Sequence, residues 1–176
     1  MSRRALFLDR DGVINIDHGY VVRRDAFDFV DGIFELVAQA RARGYLVIVV
    51  TNQAGIGRGY YTEADFHALM EWVGEQFDAR GGHIDKVYFC PDHPEHGVGE
   101  YRRVSEFRKP APGMLLAARD DFDIDMKASL FVGDNLTDMQ AGAAAGVGTN
   151  LLLTPEGSCD FAETIPSLQA ALSFLR

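Results

Sequence analysis

Tyr45 to Val50 reads Tyr-Leu-Val-Ile-Val-Val, β-branched and apolar on both faces. A surface helix or a half-exposed strand would leave part of that run in water. It fits the middle of a parallel sheet covered by helices on both sides. It is also the longest uninterrupted apolar run in the chain, far short of the roughly 20 residues that a membrane helix needs.

The rest of the sequence supplies the covering helices. Ala5 to Leu8 is a short strand-like run that stops on charged residues. Ile33 to Arg43 sets Ile33, Phe34, Val37 and Ala40 at helical spacing, and Gly44 follows as a stop signal. Thr62 reads as the N-cap of a helix running to about Ala79, with Phe66, Leu69, Met70, Val73 and Phe77 as its buried stripe. Strands are predicted at Lys86 to Cys90, Leu130 to Val132 and Asn150 to Leu153. Helices are predicted at Met114 to Asp121, Leu136 to Ala145 and roughly Phe161 to Phe174. This alternation predicts a doubly wound, Rossmann-like α/β sheet of parallel strands. The 176 residues fit a single domain, 1–176, with neither repeat nor linker.

Composition narrows the function. The 17 Lys and Arg against 26 Asp and Glu give a net charge of -9, the wrong balance for a generic nucleic-acid binder or a polybasic membrane-surface protein. The two cysteines, Cys90 and Cys159, exclude a disulfide framework. The short apolar run before Asp9 is not a signal peptide, so the cytoplasm is the expected compartment. An acidic chain that handles an anion must concentrate cations, or a metal ion, at the site itself.

In a doubly wound sheet, ligands bind beyond the carboxyl ends of the strands. The residues there are Asp9 and Asp11, then Thr51 and Asn52, then the 91–110 loop, then Gly133, Asp134 and Asn135. Three carboxylates brought together repel one another unless a hard divalent cation such as Mg²⁺ neutralises them. Asp9 could attack phosphorus as a carboxylate nucleophile. Asp11 could protonate a leaving alkoxide and later activate water. Thr51 and Asn52 offer donors to phosphoryl oxygens, and Lys109, preceded by Arg108, offers positive charge. Each element alone is an ordinary turn, cap or solvated patch; their joint order at strand ends is what carries the reading. The stretch Gly55 to Gly59 lacks the Gly-Lys-Ser/Thr ending of a phosphate-binding P-loop. It is either a flexible loop or a means of positioning Arg58 on substrate.

Phe7-Leu8-Asp9-Arg10-Asp11-Gly12, Thr51-Asn52-Gln53, Arg108-Lys109-Pro110 and Gly133-Asp134 together resemble the phosphatases of the haloacid dehalogenase superfamily. More narrowly, Asp17-His18-Gly19-Tyr20, the run from Thr51 to Ile56 with Arg58-Gly59, and Cys90-Pro91 resemble the D-glycero-D-manno-heptose 1,7-bisphosphate 7-phosphatases. The resemblance implies an aspartyl-phosphate mechanism with Asp9 as nucleophile and Asp11 as acid and base. It implies Mg²⁺ on Asp9, Asp134 and the Asp11 carbonyl, with Thr51 and Lys109 stabilising the phosphoryl group. Substrate contacts would come from Asp17, His18, Gly19, Tyr20, Asn52, Gln53, Ala54, Arg58 and Arg108. Arg10 is the residue this branch usually carries between the two aspartates. No large cap domain is expected, and the product would feed ADP-heptose synthesis for lipopolysaccharide core.

Two departures from the family pattern stand out. The family commonly holds a structural zinc after the third strand, but here the four ligand positions read Cys90, Asp92, Ser105 and Phe107. Three of four ligands are gone, so no structural zinc is expected. His93 and His96 offer only an incomplete substitute. The loop is expected to be held by packing of Tyr101, Val104 and Phe107. The second departure is Asn135, where Lys often follows the metal-binding Asp; Asn135 is expected to take that substrate-contact position. A histidinol-phosphate phosphatase, with the same opening and chemistry, is the alternative enzyme. A catalytically silent binding module is the alternative outside enzymes, although such a module would be expected to lose Asp9 or Asp11 first. The expected partner is a small phosphorylated sugar, with no nucleic acid or membrane, bound to a monomer.

Overall fold

A computed structural model describes residues 2–176. Its strands are β1 (Ala5–Leu8), β2 (Leu46–Asn52), β3 (Lys86–Cys90), β4 (Leu130–Gly133), β5 (Thr149–Leu153) and β6 (Glu163–Ile165). They form one parallel sheet in the order β3-β2-β1-β4-β5-β6. The helices are α1 (Ile33–Ala42), α2 (Ala54–Gly57), α3 (Glu63–Asp78), α4 (Gly113–Phe122), α5 (Leu136–Ala144) and α6 (Leu168–Ala171).

Strand side chains alternate between two cores, as a period of two requires. Leu6, Leu8, Val47 and Val49 pack with α1, α3 and α6 on one face. Ala5, Phe7, Ile48 and Val50 pack with α4 and α5 on the other. Each core buries apolar side chains that the isolated helices could not hide, and this holds the layers together. Thr62 caps α3 as expected, accepting from Asp65 N while Asp65 returns a bond to Thr62 N. The segments after β1 and β3 are loops carrying short 3-10 turns, Arg24–Ala26 and Gly99–Tyr101. No large cap stands over the sheet among the described residues.

The register positions the site. Leu8 pairs with Val49 on one side and with Val132 on the other. The chain therefore leaves the sheet after β1 and after β4 at the same edge. The order reverses between β1 and β4, and the crevice opens at that switch point.

Three expectations are corrected. β2 continues through Thr51 and Asn52, which pair with Phe89 and Cys90, so both residues lie within the strand. The glycine-rich stretch is not a loose loop, because Ala54–Gly57 forms the short helix α2. A Cβ on Gly57 would lie 2.3 Å from the Pro91 carbonyl, so glycine is what lets α2 meet the loop after β3. The last segment is not one helix. Glu163–Ile165 is a strand paired with β5, followed by α6 and a 3-10 turn at Leu172–Phe174. Pro166 favours extended backbone at Ile165, and Ile165 is buried in the first core.

Candidate active site

Asp9 follows β1, and its amide donates to Val132 O, continuing the strand pairing by one residue. Its Oδ1 accepts from Arg10 N and from Lys109 Nζ, both at 2.9 Å. These two donors fix the carboxylate plane. Lys109 is only 5% exposed and also donates to Val50 O at 2.9 Å and Asp138 Oδ1 at 2.5 Å. Burial pulls its ammonium down, but Asp9 and Asp138 outweigh that and hold it above the ordinary lysine value. Asn52 clamps the backbone that carries Lys109. Its Oδ1 accepts from Lys109 N at 3.0 Å and its Nδ2 donates to Lys109 O at 3.2 Å.

Carboxylate oxygens of Asp9, Asp134 and Asp138 all lie within 4.8 Å of one another. Burial pushes Asp9 up to about 7, with Lys109 opposing and Asp138 and Asp11 adding to the rise. Asp134 meets solvent on one side, yet partial burial and the Asp9 charge push it up to about 7 as well. These are oxygen donors held at an electrostatic cost that a hard divalent cation would relieve. Asp138 is spent, because Oδ1 holds Lys109 and Oδ2 accepts from Asn135 N. Asp9 and Asp134 are the carboxylates left for a cation. Gly12, at φ 92°, lets Asp134 come close: a Cβ there would lie 1.9 Å from Asp134 Oδ2.

Asp11 sits two residues beyond Asp9 and is held from both sides. Oδ1 accepts from Arg10 Nη2 at 2.6 Å and Asn15 Nδ2 at 3.1 Å, and Oδ2 accepts from Gln53 Nε2 at 3.1 Å. The Arg10 side chain is fully buried between Phe27 and Phe66, and its Nη2 also donates to Val21 O.

Asp9, Asp11, Asp17, Asn52, Lys109, Asp134 and Asn135 surround a cavity of about 190 Å³, with Thr137 and Asp138 completing the wall. A chamber of about 330 Å³ adjoins it, sharing Asp11, Asp17 and Asn52 and adding Gly19, Tyr20, Gln53, Ala54, Gly55, Tyr61 and Arg108. Three expected residues line neither cavity. Thr51 is fully buried, accepting from Gln53 Nε2 at 2.9 Å. His18 is exposed and bonded to Asp28 at 2.8 Å. Arg58 ends α2 with its Nε buried and unpartnered. Asn135 lines the cavity but spends its side chain capping α5. Asp138 was missed by sequence reasoning, although Asn135 and Asp138 stand at capping-box spacing directly after Asp134.

The loop after β3 is polar where apolar packing was expected. Val104 is 86% exposed and Phe107 is also exposed; only Tyr101 packs against the core. Asp92, buried beside the Cys90 thiol, pairs with Arg103 Nε at 3.0 Å, and its carbonyl accepts from Arg108 Nη1 at 3.4 Å. The carboxylate holds Arg103 and the backbone carbonyl holds Arg108, while Val104 and Phe107 between them stay exposed. Ser105 Oγ accepts from Phe107 N. His93 Nδ1 is occupied by the amides of Glu95 and His96.

Residues 4–146 match the family model of the haloacid dehalogenase-like hydrolases. A D-glycero-alpha-D-manno-heptose-1,7-bisphosphate 7-phosphatase from Burkholderia mallei is 63% identical over 153 residues, 87% of this chain and 81% of its own. A D-glycero-beta-D-manno-heptose-1,7-bisphosphate 7-phosphatase from Salmonella typhi is 52% identical over 149 residues, 85% of this chain and 79% of its own. Among solved structures, a D,D-heptose 1,7-bisphosphate phosphatase from B. bronchiseptica, complexed with magnesium and phosphate, superposes with a TM-score of 0.83. It is 28% identical, and the match covers 97% of this chain and 96% of that one.

Proposed function

We propose that in this chain, which belongs to the haloacid dehalogenase-like hydrolase family, Asp9 is the nucleophile and Asp11 the general acid and base of a phosphoryl transfer. The chain is a phosphoric monoester hydrolase that removes the 7-phosphate of D-glycero-D-manno-heptose 1,7-bisphosphate. That reaction belongs to ADP-heptose synthesis for lipopolysaccharide core. The observation that carries the residue roles is the convergence of Asp9, Asp11, Lys109 and Asp134 on one small cavity, with Lys109 bonded to the Asp9 carboxylate.

An Asp9 carboxylate oxygen attacks phosphorus, and the bond to the sugar oxygen breaks. Asp11 gives its proton to that oxygen, so the sugar leaves as an alcohol. Asp11, now a carboxylate, takes a proton from water, and the resulting hydroxide displaces Asp9 from phosphorus. Lys109 faces the charge that develops on the transferring group. Mg²⁺ would be held by Asp9, Asp134 and the Asp11 carbonyl, and it supplies neutralisation of the phosphoryl oxygens. The adjoining chamber takes the sugar, with Asp17, Gly19, Tyr20, Ala54 and Arg108 as its contacts. His18 and Arg58 do not line this chamber.

No described helix is long and apolar enough to cross a membrane. The same reading makes the chain a single-domain, cytoplasmic monomer without structural zinc. Supporting the last point, Asp92 stands in an ion pair where the family pattern has a histidine, and Ser105 stands in a backbone bond where it has a thiolate. Metal analysis after mild purification should find well under one equivalent of zinc.

Phosphate release with Mg²⁺ from heptose 1,7-bisphosphate and from histidinol phosphate, side by side, tests the reading. Strong preference for the bisphosphate, abolished in Asp9→Asn, is expected. Preference for histidinol phosphate would overturn the substrate, and appreciable turnover by Asp9→Asn would overturn the nucleophile.

A further inference from the structure

Gln53 was expected to touch substrate, but its amide is committed inside the protein. It is 2% exposed. Its two N–H bonds go to Asp11 Oδ2 at 3.1 Å and Thr51 Oγ1 at 2.9 Å. Its Oε1 accepts from the hydroxyl of Tyr61, itself buried. The reverse amide orientation would set Oε1 against the Asp11 carboxylate. Tyr61 and Asp11 therefore fix the same rotamer from opposite ends. The Tyr61 ring is held in turn by the backbone of α2: a Cβ on Gly55 would lie 2.4 Å from Tyr61 Cε1. Burial, above all, pushes the Tyr61 hydroxyl up to about 12, so it remains a donor at neutral pH.

We propose that Tyr61 is a positioning residue for the reaction, holding through Gln53 the Asp11 oxygen that passes a proton to the departing sugar. The inference rests on Asp11 being the acid and base. Arg10 and Asn15 anchor Oδ1, whereas Gln53 is the side chain that fixes Oδ2. Without Tyr61 the amide can turn or tilt, and Asp11 Oδ2 loses the lateral support that Gln53 gives it. Misplacing a proton donor by about 1 Å costs up to 10²-fold; through one intermediary, about tenfold is expected.

Leaving-group dependence separates this role from simple packing. p-Nitrophenolate departs without needing a proton, whereas a sugar alkoxide must receive one. In single-turnover phosphoryl transfer with excess enzyme, Asp11→Asn should slow the sugar bisphosphate far more than p-nitrophenyl phosphate. Tyr61→Phe keeps the ring and removes the hydroxyl. It should show the same split in smaller measure, about tenfold against less than about twofold, with KM nearly unchanged. Gln53→Met carries the same expectation and serves where Tyr61→Phe does not fold by circular dichroism. Equal slowing of both substrates in the Tyr61 and Gln53 variants, while Asp11→Asn discriminates, would overturn the positioning role. Loss of discrimination in Asp11→Asn itself would overturn the acid reading and, with it, this inference.

Discussion

Lys109→Met removes a buried ammonium and leaves its partners in place. Lys109 Nζ bridges Asp9 Oδ1 and Asp138 Oδ1, so the variant keeps buried carboxylates without their cation. Breaking a buried pair in this way costs about 3–5 kcal/mol when the remaining charge cannot be neutralised. Here it can be neutralised by a proton. Asp9 already stands at about 7 with Lys109 pulling it down, so losing the lysine raises it further. A carboxyl whose folded value exceeds its unfolded one makes the native state bind the extra proton, and stability then falls as pH rises through that window. Urea unfolding in Mg²⁺-free buffer should therefore show a loss of about 3–5 kcal/mol at pH 8 and less than half that at pH 5. Turnover should fall by roughly 10²–10³ with KM within a few-fold, because Lys109 faces charge that develops during transfer. Adding Asp138→Asn should recover part of the stability, a coupling of about 1–3 kcal/mol. The same loss at both pH values, with no coupling, would mean that the lysine stem packs and its charge does not matter.

The parent chain carries the same pH signature. Asp9 and Asp134 both stand near 7, so its ion-free Tm should drop between pH 5 and pH 8, and Mg²⁺ should raise Tm more at pH 8. An equal Mg²⁺ effect at both values would contradict ionisation of these two groups on binding. Gly12→Ala drives a methyl group into Asp134 and should weaken Mg²⁺ binding on the order of 10–100-fold, read from the Mg²⁺ dependence of Tm and of activity. Asp92→Ala frees Arg103 and loosens the turn that seats Arg108. It should cost about 1–3 kcal/mol in urea unfolding and raise KM more than it lowers kcat; an unchanged KM would separate this loop from substrate binding.

The sequence by itself determined the layers, because each rests on local periodicity. Lys86–Cys90 is the strand read for it, Thr62 caps α3, and the Tyr45–Val50 run supplies β2 from Leu46 onward, paired with β3 on one side and β1 on the other. It failed where a neighbour overrides local pattern: Glu163–Ile165 is helix-compatible until β5 offers it an edge to pair with. At the site, the residue types were legible and their employment was not. The family resemblance implies substrate contacts at Asn52, Gln53 and Asn135. In the folded chain these amides clamp Lys109, brace Asp11 and cap α5. Asp138 reads as an ordinary helix residue and turns out to share Lys109 with the nucleophile. A side chain's hydrogen-bonding capacity is written in its chemistry, but which partners consume it depends on crossovers and register between strands tens of residues apart. Only the tertiary structure decides that.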